Sequence, residues 1–193
     1  MNDFRRLWSL FHEGQLPVGY RLTFGGAANW LRFHSLPDSK RYADSDHERR
    51  VILDRQNLLA EEVLGSERCW LVQTHWVTPE GVNDVADVKD PFAATRKFNL
   101  EFAFEFADND DNEHAVRWRV HAGPVRWADG AFDDLLLDIA DERSAPTIWM
   151  SESTGAVFAP YDGGIDLFLA NSTQINVLKA KHHDWLSSHP EGL

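Results

Sequence analysis

The stretch from Phe98 to Phe106 alternates without a break. Phe98, Leu100, Phe102, Phe104 and Phe106 are bulky and apolar, and Asn99, Glu101, Ala103 and Glu105 fall between them. Successive side chains of a strand point to opposite faces, so this pattern predicts a strand with one buried and one wet face. A helix would spread the same large residues around its circumference. Asp108-Asn109-Asp110-Asp111-Asn112 reads as a turn, after which Val116, Trp118 and Val120 take one side and Arg117 and Arg119 the other. In an antiparallel hairpin those arginines face Glu101 and Glu105, and each such pair is worth ~0.2–1 kcal/mol.

The flanking segments supply the rest of a sheet and its cover. Asp3 to Glu13 reads as a helix, with Phe4, Leu7, Trp8 and Phe11 at helical spacing. Tyr20–Phe24 and Asn29–Phe33 read as two strands joined at Gly25-Gly26. Ser45-Asp46-His47-Glu48 has the form of a capping box and predicts a helix that runs to Leu64 and stops at Gly65. Cys69–Trp76 reads as a strand, and Thr78–Lys97 as a long surface loop. Ala131–Glu142 is amphipathic. Three short strands are expected at Thr147–Met150, Ala156–Phe158 and Ile165–Leu169, the last two joined by a tight turn at Asp162-Gly163-Gly164. A helix capped by Asn171 or Ser172 closes the pattern and buries Ile175, Leu178, His182, Trp185 and Leu186. There is no steady strand–helix alternation. The expected fold is therefore α+β, a mostly antiparallel sheet with helices packed on one face.

A chain of 193 residues suits a single domain over 1–193. At this size roughly 70% of the unfolded surface can be buried, so no metal or disulfide is needed to hold the fold. Cys69 is the sole cysteine and sits in the apolar run Cys69-Trp70-Leu71-Val72, which reads as a buried structural thiol. A lone cysteine, with no apolar leader or spanning run in the sequence, leads to the expectation of a cytoplasmic protein.

Charge is spread unevenly. Residues 1–60 carry nine Lys/Arg against seven Asp/Glu, a net of +2, and the remainder carries ten against twenty-four, a net of −14. Such a field repels nucleic acid and anionic membranes and attracts a basic protein. The expected partner-binding residues are Asp108, Asp110, Asp111, Asp129 and Trp127, an aromatic in turn-like surroundings, with further acids at Asp84, Asp87, Asp90, Asp133 and Asp134.

Phosphate-loop, dinucleotide, nucleophile-elbow and zinc-protease signatures do not occur, so no catalytic residue, cofactor or metal is assigned. His182-His183-Asp184 diverge by about 100° per residue on a helix and cannot all hold one ion. Asp162 and Asp166 invite an acid–base pair, but a tight hairpin accounts for them more simply. The polar stretch from Arg32 to Tyr42 joins a strand to a capped helix. There Arg32, His34, Ser39, Lys40 and Arg41 form a candidate site for an anionic ligand or substrate.

Two segments carry a family resemblance. The first is Tyr20-Arg21-Leu22-Thr23-Phe24 with Arg50, Arg55 and Cys69-Trp70-Leu71-Val72. The second is Val157-Phe158-Ala159-Pro160-Tyr161-Asp162-Gly163-Gly164-Ile165-Asp166, followed by a helix closing on His183-Asp184-Trp185-Leu186. Together they resemble an uncharacterised bacterial domain-of-unknown-function family whose C-terminal hairpin reads Tyr-Asp-x-Arg-Gly-x-Asp before a helix. Gly163 stands where the family has arginine. The resemblance implies no catalytic residue. It implies a small cytoplasmic protein of a kind suspected of antagonising toxins. The leading expectation is thus a non-enzymatic, acidic protein-binding module, in its sharpest form an immunity protein against a basic toxin. The alternative is an enzyme or binder for an anionic small ligand at the Arg32–Tyr42 loop.

Overall fold

The computed structural model describes residues 3–25, 29–78, 81–82, 90–108 and 116–186. Helices α1 (Asp3–Phe11) and α2 (Gly19–Phe24) precede strand β1 (Trp30–His34), a 3-10 turn at Pro37–Ser39 and the long helix α3 (Asp46–Leu64). Then come β2 (Arg68–Thr78), β3 (Gly81–Val82), α4 (Ala93–Lys97), β4 (Glu101–Asp108), β5 (Val116–Arg126) and α5 (Asp133–Ala140). The chain closes with β6 (Thr147–Ser151), β7 (Val157–Tyr161), β8 (Gly164–Phe168), α6 (Ser172–Lys181) and a 3-10 turn at His183–Trp185.

Every strand pair is antiparallel, in the order β1-β8-β7-β6-β2-β5-β4, with β3 paired to the end of β2. The fold is the expected α+β arrangement. Side-chain alternation sends Cys69, Leu71, Trp149, Phe158, Ile165 and Leu167 to one face, where α3, α5 and α6 cover them with Leu59, Leu136 and Leu178. Trp70, Val72, Ile148, Met150, Val157 and Phe168 point the other way, where the short helices α1 and α2 supply Phe4, Trp8 and Leu22. Helices α3, α5 and α6 share one face, and α1 and α2 close much of the other. Among the described residues, no helix is long and apolar enough to cross a membrane.

Cys69 is buried, and burial pushes its thiol up to about 11, so it stays protonated and unreactive. Ser45 caps α3 by accepting from the Glu48 amide at 3.3 Å. The return half of the box is displaced: the Glu48 carboxylate takes the Asp44 amide at 2.7 Å rather than that of Ser45.

Tyr20–Phe24 is a helix, not a strand. Five residues are too few to separate period two from period 3.6, and only Leu22 of the three alternating apolar residues is buried, with Phe24 82% exposed. Consequently β1 has no hairpin partner before it and pairs with β8 instead. The segment read as a loop from Thr78 to Lys97 contains β3 and α4. Thr95 of α4 fastens it to the sheet, donating to Gln73 at 2.9 Å and meeting the buried His75 ring at 3.1 Å.

The Phe98–Phe106 alternation is interrupted. A bulge at Ala103 lets Phe102 pair with His121 and Phe104 with Val120. Leu100 therefore joins the α3 side of the core while Phe104 and Phe106 pack on the α1 side, and Phe102 is left 55% exposed. Arg117 and Arg119 both reach Glu105, at 3.2 and 3.1 Å, and Glu101 receives neither.

Gly164 lies between β1 and β7, opposite both His34 and Tyr161. A Cβ there would overlap the Phe33 carbonyl oxygen and crowd the Tyr161 hydroxyl. Gly164→Ala is expected to cost about 2–4 kcal/mol, read from the urea midpoint. An unchanged midpoint would mean that β1 can slide away from β8 freely.

Candidate functional site

A charged residue inside an apolar strand needs an opposite partner, since an unpaired buried charge is costly. Arg32 in β1 and Asp166 in β8 are each the lone charge of their strand and stand directly opposite in register. The arginine donates through Nε at 2.7 Å and Nη2 at 2.8 Å to the two carboxylate oxygens. Asp166 also accepts from Trp30 Nε1 at 2.9 Å and from Thr23 of α2 at 3.4 Å. With 3% exposure and four donors, both of its oxygens are engaged within the fold. The same hydrogen bonding raises the Arg32 pKa.

This pair forms part of the floor of a cleft of about 380 Å³. Val18, Gly19 and Tyr20 at the start of α2 make one wall. Ile139 of α5 and the Glu142–Thr147 turn make another, and Ala159, Pro160 and Tyr161 of β7 a third. Gly19 is needed for closeness, because a Cβ there would lie 3.1 Å from that of Ala159. The Arg32 guanidinium carbon sits 5.0 Å from the Tyr161 ring centre and 5.2 Å from that of Trp30. Burial pushes the Tyr161 hydroxyl up to about 12, against the pull of Arg32. Neither that hydroxyl nor Arg32 Nη1 has a hydrogen-bond partner among the described residues.

At the rim Arg41 bonds Asp162 and lies 3.5 Å from Glu142, which also accepts from Tyr42 at 2.8 Å. Glu142 holds a left-handed backbone, φ 55°, at the exit from α5. These contacts tie the β1–α3 connection to the hairpin turn and to the α5 end.

The five residues expected to bind an anion are thus divided. Arg32 is in the cleft, and Arg41 reaches its rim. His34 and Ser39 line a separate hollow of about 390 Å³ with Asp184 and Trp185. Lys40 lines neither and is held by Asp44 at 2.8 Å and Glu48 at 2.6 Å. Burial, assisted by the charges of Arg32 and Arg55, lowers the His34 pKa, so its ring is neutral at neutral pH. The grouping by sequence proximity missed Tyr161, Glu142 and the Arg32–Asp166 pair. Two lone opposite charges in apolar strands were the signal for that pair.

Of the expected partner residues, Trp127 is 5% exposed and stacks on Phe132 in the core, so it is not a surface anchor. Asp129 is exposed. Asp110 and Asp111, with Asp84 and Asp87, lie outside the described residues, and of Asp108 only the backbone is described. Asp90 pairs with Arg96, Asp133 accepts from Asn57 and Asp134 from Lys97. Asp162 and Asp166 are held by different arginines and do not form a dyad. His182 is a core-edge residue, bonded to Glu62 at 3.1 Å and stacked on Trp185. Among the described residues no three His, Cys, Asp or Glu side chains gather as a metal ion requires.

Fold and site together define a compact antiparallel α+β domain with a polar-floored cleft beside its C-terminal hairpin. The chain belongs to the family described as Domain of unknown function (DUF3885), whose model matches residues 16–190. No curated protein and no solved structure matches it.

Proposed function

We propose that the domain binds a small carboxylate-bearing molecule in the cleft above Arg32 and Asp166. The observation that carries this reading is the half-committed guanidinium: Nε and Nη2 are spent on Asp166, while Nη1 and the neighbouring Tyr161 hydroxyl have no partner among the described residues. Ile139, Pro146, Ala159 and Pro160 offer the ligand's body an apolar wall. Asp162 and Glu142 at the rim, already matched by Arg41, favour a singly charged ligand over a polyanion. The role is binding, with Asp166 fixing the arginine.

The test is calorimetric titration of the full chain with small aliphatic and aromatic carboxylates and their uncharged amides. Carboxylates should bind and amides should not. Tyr161→Phe should weaken the carboxylate by about tenfold, the worth of one hydrogen bond to a charged group. Equal affinity for acid and amide, or for wild type and Tyr161→Phe, would overturn the reading.

A second reading, capture of a basic protein, is supported by a separate observation. The net charge after residue 60 is −14, and β4 carries Glu101, Glu105 and Asp108 with no Lys or Arg. A basic toxin is one member of that partner class. The single buried thiol fits a reducing compartment such as the cytoplasm.

A further inference from the structure

The sheet ends at β4, and what ends there is the hydrogen-bonding row of an edge strand. Its inner side pairs with β5 from Glu101 to Asp108, and among the described residues no strand pairs with its outer side. An open edge is a template for another extended chain. Three features of β4 decide which chain fits. The strand bears three carboxylates and no cation. Arg117 and Arg119 occupy Glu105, whereas Glu101 is exposed and makes no ion pair among the described residues. Phe102, the residue before the bulge at Ala103, is 55% exposed on the face opposite to that of Glu101.

A second copy of the chain is a poor occupant. Antiparallel pairing of two β4 strands about their middle sets Glu101 of one copy opposite Asp108 of the other, and each copy carries a net charge of −12. Like charges directly across a ladder destabilise it. A strand with lysine or arginine alternating with apolar residues meets both needs. Its cations lie on the Glu101 face, its apolar residues cover Phe102 on the other, and its backbone satisfies the open row.

We propose that β4 is a docking edge for an extended basic segment of a partner protein, added as a further strand to the sheet. This rests on the second reading above and is independent of the cleft. Main-chain pairing gives the affinity and the carboxylates select the sign of the partner.

The experiment uses the full chain and a labelled peptide of about eight residues alternating lysine and valine, long enough to span β4. Controls are the same peptide N-methylated at alternate residues and a glutamate-for-lysine version. Binding is followed by fluorescence anisotropy and located by amide hydrogen exchange. The lysine peptide should bind at low salt, slow exchange in Glu101–Asp108 and weaken by about tenfold as salt rises from about 30 to 300 mM. N-methylation should abolish binding. Glu101→Lys should weaken it severalfold with circular dichroism unchanged. Binding without protection in β4, or binding that survives N-methylation, would overturn the edge while leaving the basic-partner reading standing. Absence of binding at low salt would remove both. A wild-type dimer that protects β4 would replace the proposal with a second copy.

Discussion

Asp166→Ala is expected to lower the unfolding free energy by about 3–5 kcal/mol, because it leaves a largely buried guanidinium unpaired. The Arg32 side chain is 18% exposed and that of Asp166 is 4% exposed, so water screens the pair weakly. The substitution also orphans the Trp30 indole and the Thr23 hydroxyl, which both donate to the same carboxylate. Removing both charges together, as Arg32→Met with Asp166→Leu, should recover most of the loss, since the desolvation cost disappears with them. Urea denaturation of the single and double variants separates the two effects. A single-variant loss below about 1 kcal/mol would show the pair to be no stronger than a surface ion pair.

The second large effect is at Trp149, which is fully buried at the centre of the sheet. Its ring meets Trp127, Phe132 and Phe158 at centroid distances of 5.6, 5.5 and 5.7 Å. Trp149→Ala is expected to cost about 3–5 kcal/mol through lost contact and the cavity left behind. Trp149→Phe should cost far less than its lost volume suggests. The indole Nε1 is buried with no hydrogen-bond partner among the described residues, and an orphaned donor carries a penalty of about 1–3 kcal/mol that the phenyl ring lacks. Thermal unfolding of the two variants tests this, and equal losses for both would show the indole nitrogen to be satisfied in solution.

What the sequence disclosed followed the strength of its periodic signals. The long helix α3, its Ser45 cap, the β5 strand and the Asp162–Gly164 turn were all legible, because each rests on several residues that agree. Tyr20–Phe24 was misread because its alternation spans one and a half helical turns. The Ala103 bulge was invisible, since one extra residue leaves the written pattern intact while reversing which face each side chain takes. The site was half legible. Arg32 and Arg41 were found as cations near a helix start, but their carboxylate partners lie 134 and 121 residues away. Neighbourhood in sequence grouped His34 and Lys40 with them, whereas the fold sends each elsewhere. Trp127 sits among turn residues yet faces inward, a distinction set by packing against Phe132 and Trp149.

The pairing of β1 with β8 has a consequence for the order in which the molecule is made. Trp30–His34 leaves the ribosome while its partner Gly164–Phe168 is not yet synthesised. At ordinary elongation rates the wait is on the order of ten seconds. Through that interval Leu31 and Phe33 have no β8 to pair with, and Arg32 has no counter-ion. The nascent chain therefore passes through a stage in which half of its sheet is present and its cleft does not exist. A chain stalled or cut before residue 164 would lack the floor of the cleft while β4 and β5 were already available. The last hairpin thus acts as the closing stitch of the fold, and the cleft exists only once β7 and β8 have been made.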